Sequence, residues 1–250
     1  MAGEKVAFWS GHANSSAMVL RMKEIHKEPD LIVYASTGGE FDEVYDFMER
    51  FEKIIGIQVI RCNRIERNPD YQFEAFFNRP WLAGCNLGGQ IHGMPHQNRP
   101  CWHHRNVKEP CYKQYGWGAK EQYIGFTIDE IRRATPMLAT HPNSRFPLIE
   151  WGWHAKDSIE YLRKQGIPHF IYDLGFDRMG CWFCHQQGEK ALRIIFEHFP
   201  DKWEKLLEYE RRSPHGFKAK SKTYLAELSD KWEDEHRANC DDVVKKGGRG

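Results

Sequence analysis

The stretch Val6-Ala7-Phe8-Trp9-Ser10-Gly11-His12-Ala13-Asn14-Ser15-Ser16-Ala17-Met18-Val19-Leu20 decides how the chain is read. An apolar, partly β-branched run meets a short Ser/Gly/Asn segment, and apolar residues resume with helical spacing at Ala17, Leu20 and Ile25. This order predicts strand, tight loop, helix. Free backbone N–H groups at a helix N-terminus attract anions, and small residues let an anion approach. Ser10, Ser15 and Ser16 would add hydroxyl donors. A strand–loop–helix turn also occurs as plain connection, so this stretch alone leaves both readings open.

Working outward, Leu31-Ile32-Val33-Tyr34-Ala35 reads as a buried strand. It runs into Ser36-Thr37-Gly38-Gly39-Glu40 and a helix from Asp42 to about Ile55, with Val44, Phe47, Met48 and Phe51 on one face. Ile57-Gln58-Val59-Ile60 makes a third strand. Strand and helix in alternation predict a parallel sheet whose ligands sit beyond the carboxyl ends of the strands. Both glycine-bearing loops emerge at that edge.

From Cys62 to about Gly118 the alternation breaks into a region rich in Asn, Pro, Gly, His and aromatics, containing Cys85, Cys101 and Cys111. A loop region of this length is functional or metal-braced. Between Arg99 and Gly118 its charge is positive, since Arg99, Arg105, Lys108 and Lys113 face only Glu109, and Trp102 and Trp117 among these cations could stack on bases. The sheet resumes at Gln122-Tyr123-Ile124-Gly125-Phe126. A helix follows from about Lys156 to Gln165, another from Glu189 to His198, and Asp201 reads as an N-cap before Trp203, Leu206 and Leu207. The end from Ser213 is polar, and its basic run Lys218, Lys220 and Lys222 reads as solvated surface or as a nucleic-acid backbone contact.

A formal net charge of +1 gives no global pull toward nucleic acid, so such a contact must be local. No apolar run approaches the roughly 20 residues of a membrane span, and the start lacks a leader's apolar region. A cytoplasmic protein, of a host or a phage-infected cell, is the expectation. Seven unevenly spaced cysteines fit metal ligation or thiol chemistry better than a disulfide framework.

Several stretches, taken in order, carry a resemblance. Ser10 to Ser16 is similar to an S-G-G-x-D-S loop, and Ser36-Thr37-Gly38-Gly39-Glu40 with Tyr45-Asp46-Phe47 to an N-T-G-x-E strand end and helix. Cys111-Tyr112-Lys113 resembles a cysteine before a basic residue. Ile124-Gly125 with Asp129-Glu130 and Arg133 resembles I-G-x-x-x-D-E-x-x-R, Pro147-Leu148 with Trp151 resembles P-L-x-x-W, and Gly175 to Cys184 resembles G-x-x-R-x-G-C-x-x-C. Together, from about Val6 to Tyr209, they resemble the phosphoadenosine phosphosulfate reductase-like branch of the adenine nucleotide alpha-hydrolase (PP-loop) superfamily. The phage and bacterial members, related to the ATP pyrophosphatases of DNA phosphorothioation, are the most similar.

The resemblance implies an α/β fold, a Rossmann-like parallel sheet flanked by helices, with a Cys-rich insertion and a helical C-terminal region. It implies a nucleotide-binding domain over 1–180, including the insertion at about 62–118, and a metal-binding turn with helices over 181–250. Ser10, Gly11, His12, Ala13, Asn14, Ser15 and Ser16 would form the phosphate loop, and Thr37, Gly38, Glu40 and Gly125 would line the nucleotide. Arg178, Lys113, Asp129, Glu130 and Arg133 would face the reacting end. Without the resemblance, Asp129, Glu130 and Arg133 read as a surface ion pair at helical spacing. His12 stands in place of the second Gly and Asn14 in place of the Asp, which removes a carboxylate that would help hold Mg²⁺ against pyrophosphate.

Cys181 and Cys184, at C-x-x-C spacing, can bind one edge of a metal centre. Cys111, by family position, and Cys101, by proximity, would complete the set, with His103, His104 or His185 as substitutes. The resemblance favours a [4Fe-4S] cluster over zinc, and a redox dithiol is the competing reading. Cys62, Cys85 and Cys240 read as bland thiols. The implied function is a PP-loop ATP pyrophosphatase or adenylyltransferase acting in sulfur transfer, with ATP, Mg²⁺, a sulfur-donor protein and a DNA or RNA substrate as partners and no membrane. The alternatives are a sulfonucleotide reductase, against which Arg237 to Asp242 lacks the Glu-Cys-Gly-Leu-His segment, and a non-catalytic nucleotide- and cluster-binding module.

Overall fold

Five parallel strands pair in the order β3-β2-β1-β4-β5, where β1 is Lys5–Trp9, β2 Leu31–Tyr34, β3 Val59–Arg61, β4 Glu121–Ile124 and β5 Ser144–Arg145. The computed structural model describes residues 4–62, 73–81, 88–95, 101–216 and 223–247, with the side chains of residues 103 and 239–247 outside that description. Cys85, Arg99, Lys218, Lys220 and Lys222, and the side chains of His103 and Cys240, therefore lie outside the described residues. Val6 is opposite Leu31 on one side and Gln122 on the other, so β1 is the centre of the sheet. Central parallel strands are covered on both faces, and Val6 and Ala7 are fully buried. The expected α/β architecture is the one found.

The helices are α1 (Ala13–Glu24), α2 (Asp42–Ile55), α3 (Phe73–Phe77), α4 (Trp102–Gly116), α5 (Ile131–Thr140), α6 (Pro147–Glu150), α7 (Ala155–Lys164), α8 (Glu189–His198), α9 (Pro200–Arg212) and α10 (Leu225–Gly247). Strand alternation sends Val6 and Phe8 to one face and Trp9 to the other. Val6, Phe8, Val33 and Cys62 pack with Cys111, Tyr115 and Ala119, so α4 covers that face. On the other face Trp9 stacks on Phe51 of α2 at 5.4 Å and its Nε1–H donates to Ser16 Oγ of α1 at 2.8 Å. Separate helices thus cover the two faces, α4 one and α1 with α2 the other.

Three expectations are corrected. The stretch from Cys62 to Gly118 is not a loop throughout, because α4 occupies its last third, with Val107, Cys111 and Tyr115 buried at intervals of four. Asp201 is not an N-cap; Phe199 caps α9 and Pro200 takes the first helical position, where its missing N–H is harmless. The tail after Ser213 is not wholly polar, since Leu225, Leu228 and Trp232 of α10 are buried.

The chain divides into one unit of Met1–Phe76 with Cys101–Trp182, which holds the sheet, and another of Phe77–Pro100 with Phe183–Gly250. The second is helical: Trp203 Nε1–H donates to Ser229 Oγ at 3.2 Å, and the Glu210 carboxylate accepts from the amides of Leu225 and Ala226 at the start of α10. A carboxylate there satisfies donors that an isolated helix leaves open.

Candidate nucleotide site

β1 has β2 on one side and β4 on the other, and the chain leaves it toward β2 before returning to β4. Loops leaving such a pair of strands diverge, and their carboxyl edge forms a crevice. The loop after β1 (10–12) and the segment after β4 (125–127) meet there. A Cβ on Gly125 would lie 2.8 Å from Ser15 Cα, so only glycine lets the β4 segment approach the first turn of α1 this closely. Gly11 has φ +75°, and a Cβ on it would also strike Met48 Sδ at 2.5 Å.

The loop is held mainly by its own side chains. Ser15 Oγ accepts from Ser10 N at 3.1 Å, lies 2.9 Å from Ser10 Oγ, and reaches the His12 carbonyl at 3.2 Å. Ser16, fully buried, directs its hydroxyl to Trp9 in the core rather than toward a ligand. Ala13 N donates to the Tyr172 hydroxyl at 3.2 Å, and Ser16 N to the His12 carbonyl. Asn14 N and Ser15 N have no protein acceptor among the described residues, which leaves two adjacent amides for an anion.

His169 braces the loop from behind. Its Nε2 lies 3.1 Å from the Gly11 carbonyl, and its ring stacks on Phe47 at 4.0 Å. Burial, reinforced by repulsion from His12, pushes its pKa down to about 3. The ring is therefore neutral, and because a carbonyl only accepts, the proton sits on Nε2. That leaves Nδ1 as a buried acceptor with no hydrogen-bond partner. Nothing in the sequence points to His169 or Tyr172 as loop braces.

The second cluster lies after β2. His12 Nε2 is 2.9 Å from Glu40 Oε2, and the Glu40 side chain is 1% exposed. Thr37 Oγ1 donates to Glu40 Oε1 at 3.1 Å, and Cys181 Sγ lies 3.1 Å from Thr37 Oγ1. Gly38, at φ +67°, turns its amide onto Ser36 Oγ. Burial pushes the Glu40 carboxyl up, but attraction and hydrogen bonding from His12, the charge of Lys108 and the Thr37 hydroxyl outweigh it and hold the pKa at about 2. Lys108, in the sequence only one of several local positive charges, thus acts on the site from α4.

The residues expected at the reacting end are placed differently. Asp129 accepts from His154 Nδ1 at 2.7 Å and Ala155 N at 2.9 Å, which caps α7. Glu130 and Arg133 pair with each other three residues apart, and the Arg133 guanidinium lies over the Phe126 ring. Lys113 pairs with Glu109 at 2.8 Å. Arg178 is exposed and makes no ion pair among the described residues. The structure thus brings Glu40, with Thr37 bonded to it, to His12 and Gly125 to Ser15, and ties Asp129, Glu130, Arg133 and Lys113 to local partners.

The four cysteines expected as one ligand set do not form one. Cys101 is the N-cap of α4 and Cys111 lies ten residues further along the same helix, a rise of about 15 Å. Cys111 is 1% exposed in the apolar cluster beside Cys62, and burial pushes its thiol up. Among the described residues no three Cys, His, Asp or Glu side chains converge on a metal position. An iron–sulfur or zinc centre of that composition does not fit. Trp102, expected to stack on bases, is stacked on Phe73 and Phe76, whereas Trp117 is 69% exposed.

No family model matches the chain. It is similar to two uncharacterized proteins of Methanocaldococcus jannaschii. One is 27% identical over 207 residues, covering 80% of this chain and 40% of that protein. The other is 20% identical over 206 residues, covering 82% and 47%. The chain spans less than half the length of either relative. Among solved structures it is similar to the U34-tRNA thiolase NcsA from Methanococcus maripaludis with its [4Fe-4S] cluster, at 15% identity and a TM-score of 0.41, covering 87% of this chain and 77% of that one. Function is read from sites, so any role rests on the side chains described above.

Proposed function

We propose that the chain is a PP-loop type enzyme that binds ATP by its phosphates over the β1–α1 loop and adenylylates an acceptor oxygen, preparing its replacement by sulfur. The observation that carries this reading is the pair of open amides, Asn14 N and Ser15 N, at the switch point where Gly125 closes on Ser15. Thr37 and Gly38 line the nucleotide from the β2 side. The acceptor oxygen attacks the α-phosphorus, the bond to the bridging oxygen breaks, and pyrophosphate leaves with the electron pair. A sulfur nucleophile then displaces AMP from the activated carbon and forms the carbon–sulfur bond. Arg178, exposed and unpaired among the described residues, supplies positive charge to the leaving pyrophosphate.

Two features support the sulfur and nucleic-acid parts. Cys181 Sγ stands 3.1 Å from Thr37 Oγ1, so its thiol would border a nucleotide bound there. Trp117 presents an exposed ring with the Lys113 ammonium 5.8 Å from its centroid, a combination suited to a base and its phosphate.

The test is incubation of the chain with α-labelled ATP, with and without RNA or DNA, followed by separation of products. AMP and pyrophosphate, or label on the acceptor, are expected, and Arg178→Ala should slow their formation about a hundredfold. Intact ATP in every mixture where binding is demonstrated overturns the reading. Sulfite released from phosphoadenosine phosphosulfate by thiols, without ATP turnover, replaces it with sulfonucleotide reduction.

A further inference from the structure

The loop from Ser10 to Ser16 contains no carboxylate, and His12 is the one side chain in it that can carry charge. Directly behind it stands Glu40, whose side chain is 1% exposed. A buried anion at that distance repels any phosphate brought to the amides of Asn14 and Ser15 unless a cation stands between them. His12 is the loop side chain in contact with Glu40. It is the N-cap of α1, its side chain makes no capping hydrogen bond, and its Nε2 is 2.9 Å from Glu40 Oε2. Its Nδ1 has no protein partner among the described residues.

We propose that His12, protonated and seated on Glu40, is the counter-charge for the bound phosphates, so that anion binding at this loop needs no divalent metal. This rests on the reading of the loop as a phosphate site. In an imidazolium both ring nitrogens donate, so one proton is held by Glu40 and the other is presented to the anion. Glu40 does two things here: it orients the ring and it supplies the negative partner that keeps the proton on it.

Groups from several elements face the pair, among them Tyr34 and Tyr45, whose hydroxyls burial pushes up. His169 faces it from behind the loop and is neutral, because burial holds its proton affinity down. Burial pushes the Tyr172 hydroxyl up, out of the neutral range. Lys108 acts on Glu40 from α4 and Arg50 on His169 from α2. The Cys181 thiol reaches Glu40 only through Thr37. The anion binds the imidazolium form, so binding draws a proton onto the ring wherever the ring is neutral, and affinity falls as pH rises.

The experiment measures the affinity of the full chain for ATP and for inorganic pyrophosphate by calorimetry, in EDTA and in Mg²⁺, from about pH 6 to about pH 8.5. Both probes should bind in EDTA, and the affinity should fall about tenfold or more across that range. His12→Gln should weaken binding at the low end by about tenfold to a hundredfold, the worth of a charge-assisted hydrogen bond, and flatten the pH profile. His12→Lys should keep the binding and lose the profile, which a merely structural role for the ring does not produce. Binding that requires Mg²⁺, or that is as tight and as pH-dependent in His12→Gln as in the unaltered chain, overturns the proposal. The pH series on the unaltered chain decides even if a variant fails to fold. Pyrophosphate bound without ATP sinks the adenylylation reading and leaves the His12 role standing. Neither probe bound at any pH overturns both.

Discussion

The sheet-bearing unit contains two carboxylate–histidine pairs of nearly equal length, Glu40 with His12 at 2.9 Å and Asp129 with His154 at 2.7 Å. Both carboxyls are held below their ordinary range. For Glu40 this happens against burial, through His12, whereas for Asp129 the largest cause is the backbone amide of Ala155. The side chains are 13% and 1% exposed in the first pair and 47% and 48% in the second. Water screens the second, so its bond to the start of α7 is a helix cap and little more. The first is shielded and adjoins two open amides, so its charge is felt by whatever binds there. Identical chemistry at similar distance becomes a site or a cap according to burial.

The comparison breaks first at Glu40. Removing one member of a buried pair strands the other, so Glu40→Ala should lower stability by about 3 kcal/mol and abolish phosphate binding, read by urea denaturation and calorimetry. The same pair sets an acid limb. The folded pKa, at about 2, lies below the ordinary 4.5, so the stabilisation is complete above 4.5 and is lost as pH falls toward 2. Glu40→Gln should remove that part of the stability–pH curve, and an unchanged acid limb would mean that the carboxylate is not buried as described.

Gly125→Ala comes next. Its Cβ would meet backbone atoms of Ser15, which do not rotate away, so a loss of about 2 kcal/mol is expected together with weaker phosphate binding. Tyr172→Phe removes the acceptor for Ala13 N and should cost about 1 kcal/mol by thermal denaturation. The smallest effect belongs to the exposed pair: Asp129→Asn should change stability by about 0.5 kcal/mol and leave phosphate affinity as it was. If Asp129→Asn weakens phosphate binding as much as Glu40→Gln does, burial is not what separates the two pairs.

How much of this was legible in the sequence depended on whether the deciding contacts were local. Helix α2 was readable from end to end, because Val44, Phe47, Met48 and Phe51 repeat at helical spacing after an acidic first turn. Helix α4 was hidden by Pro110 and by its histidines and cations. The signal that could have found it was the interval of four joining Val107, Cys111 and Tyr115. That same interval makes Cys111 a core residue. The loop itself was legible as an anion-sized turn, but the partners of its side chains were not. His12 and Glu40 are 28 residues apart and meet because β1 and β2 run side by side in fixed register. Ser16 looked like a phosphate donor until the indole of Trp9 claimed its hydroxyl. Tertiary partners, unlike periodicity, leave no trace in a single chain.

The crossover from Arg61 at the end of β3 to Glu121 at the start of β4 has a consequence for chain length. Both anchors are pinned by strand register, and the residues between them include 77–100, which belong to the second unit. Doubling the length of such a connection adds only about 0.6 kcal/mol of closure entropy. The connection can therefore differ in length at little thermodynamic cost while the register of β1, β3 and β4, and with it the Ser10 to Ser16 loop, stays where it is.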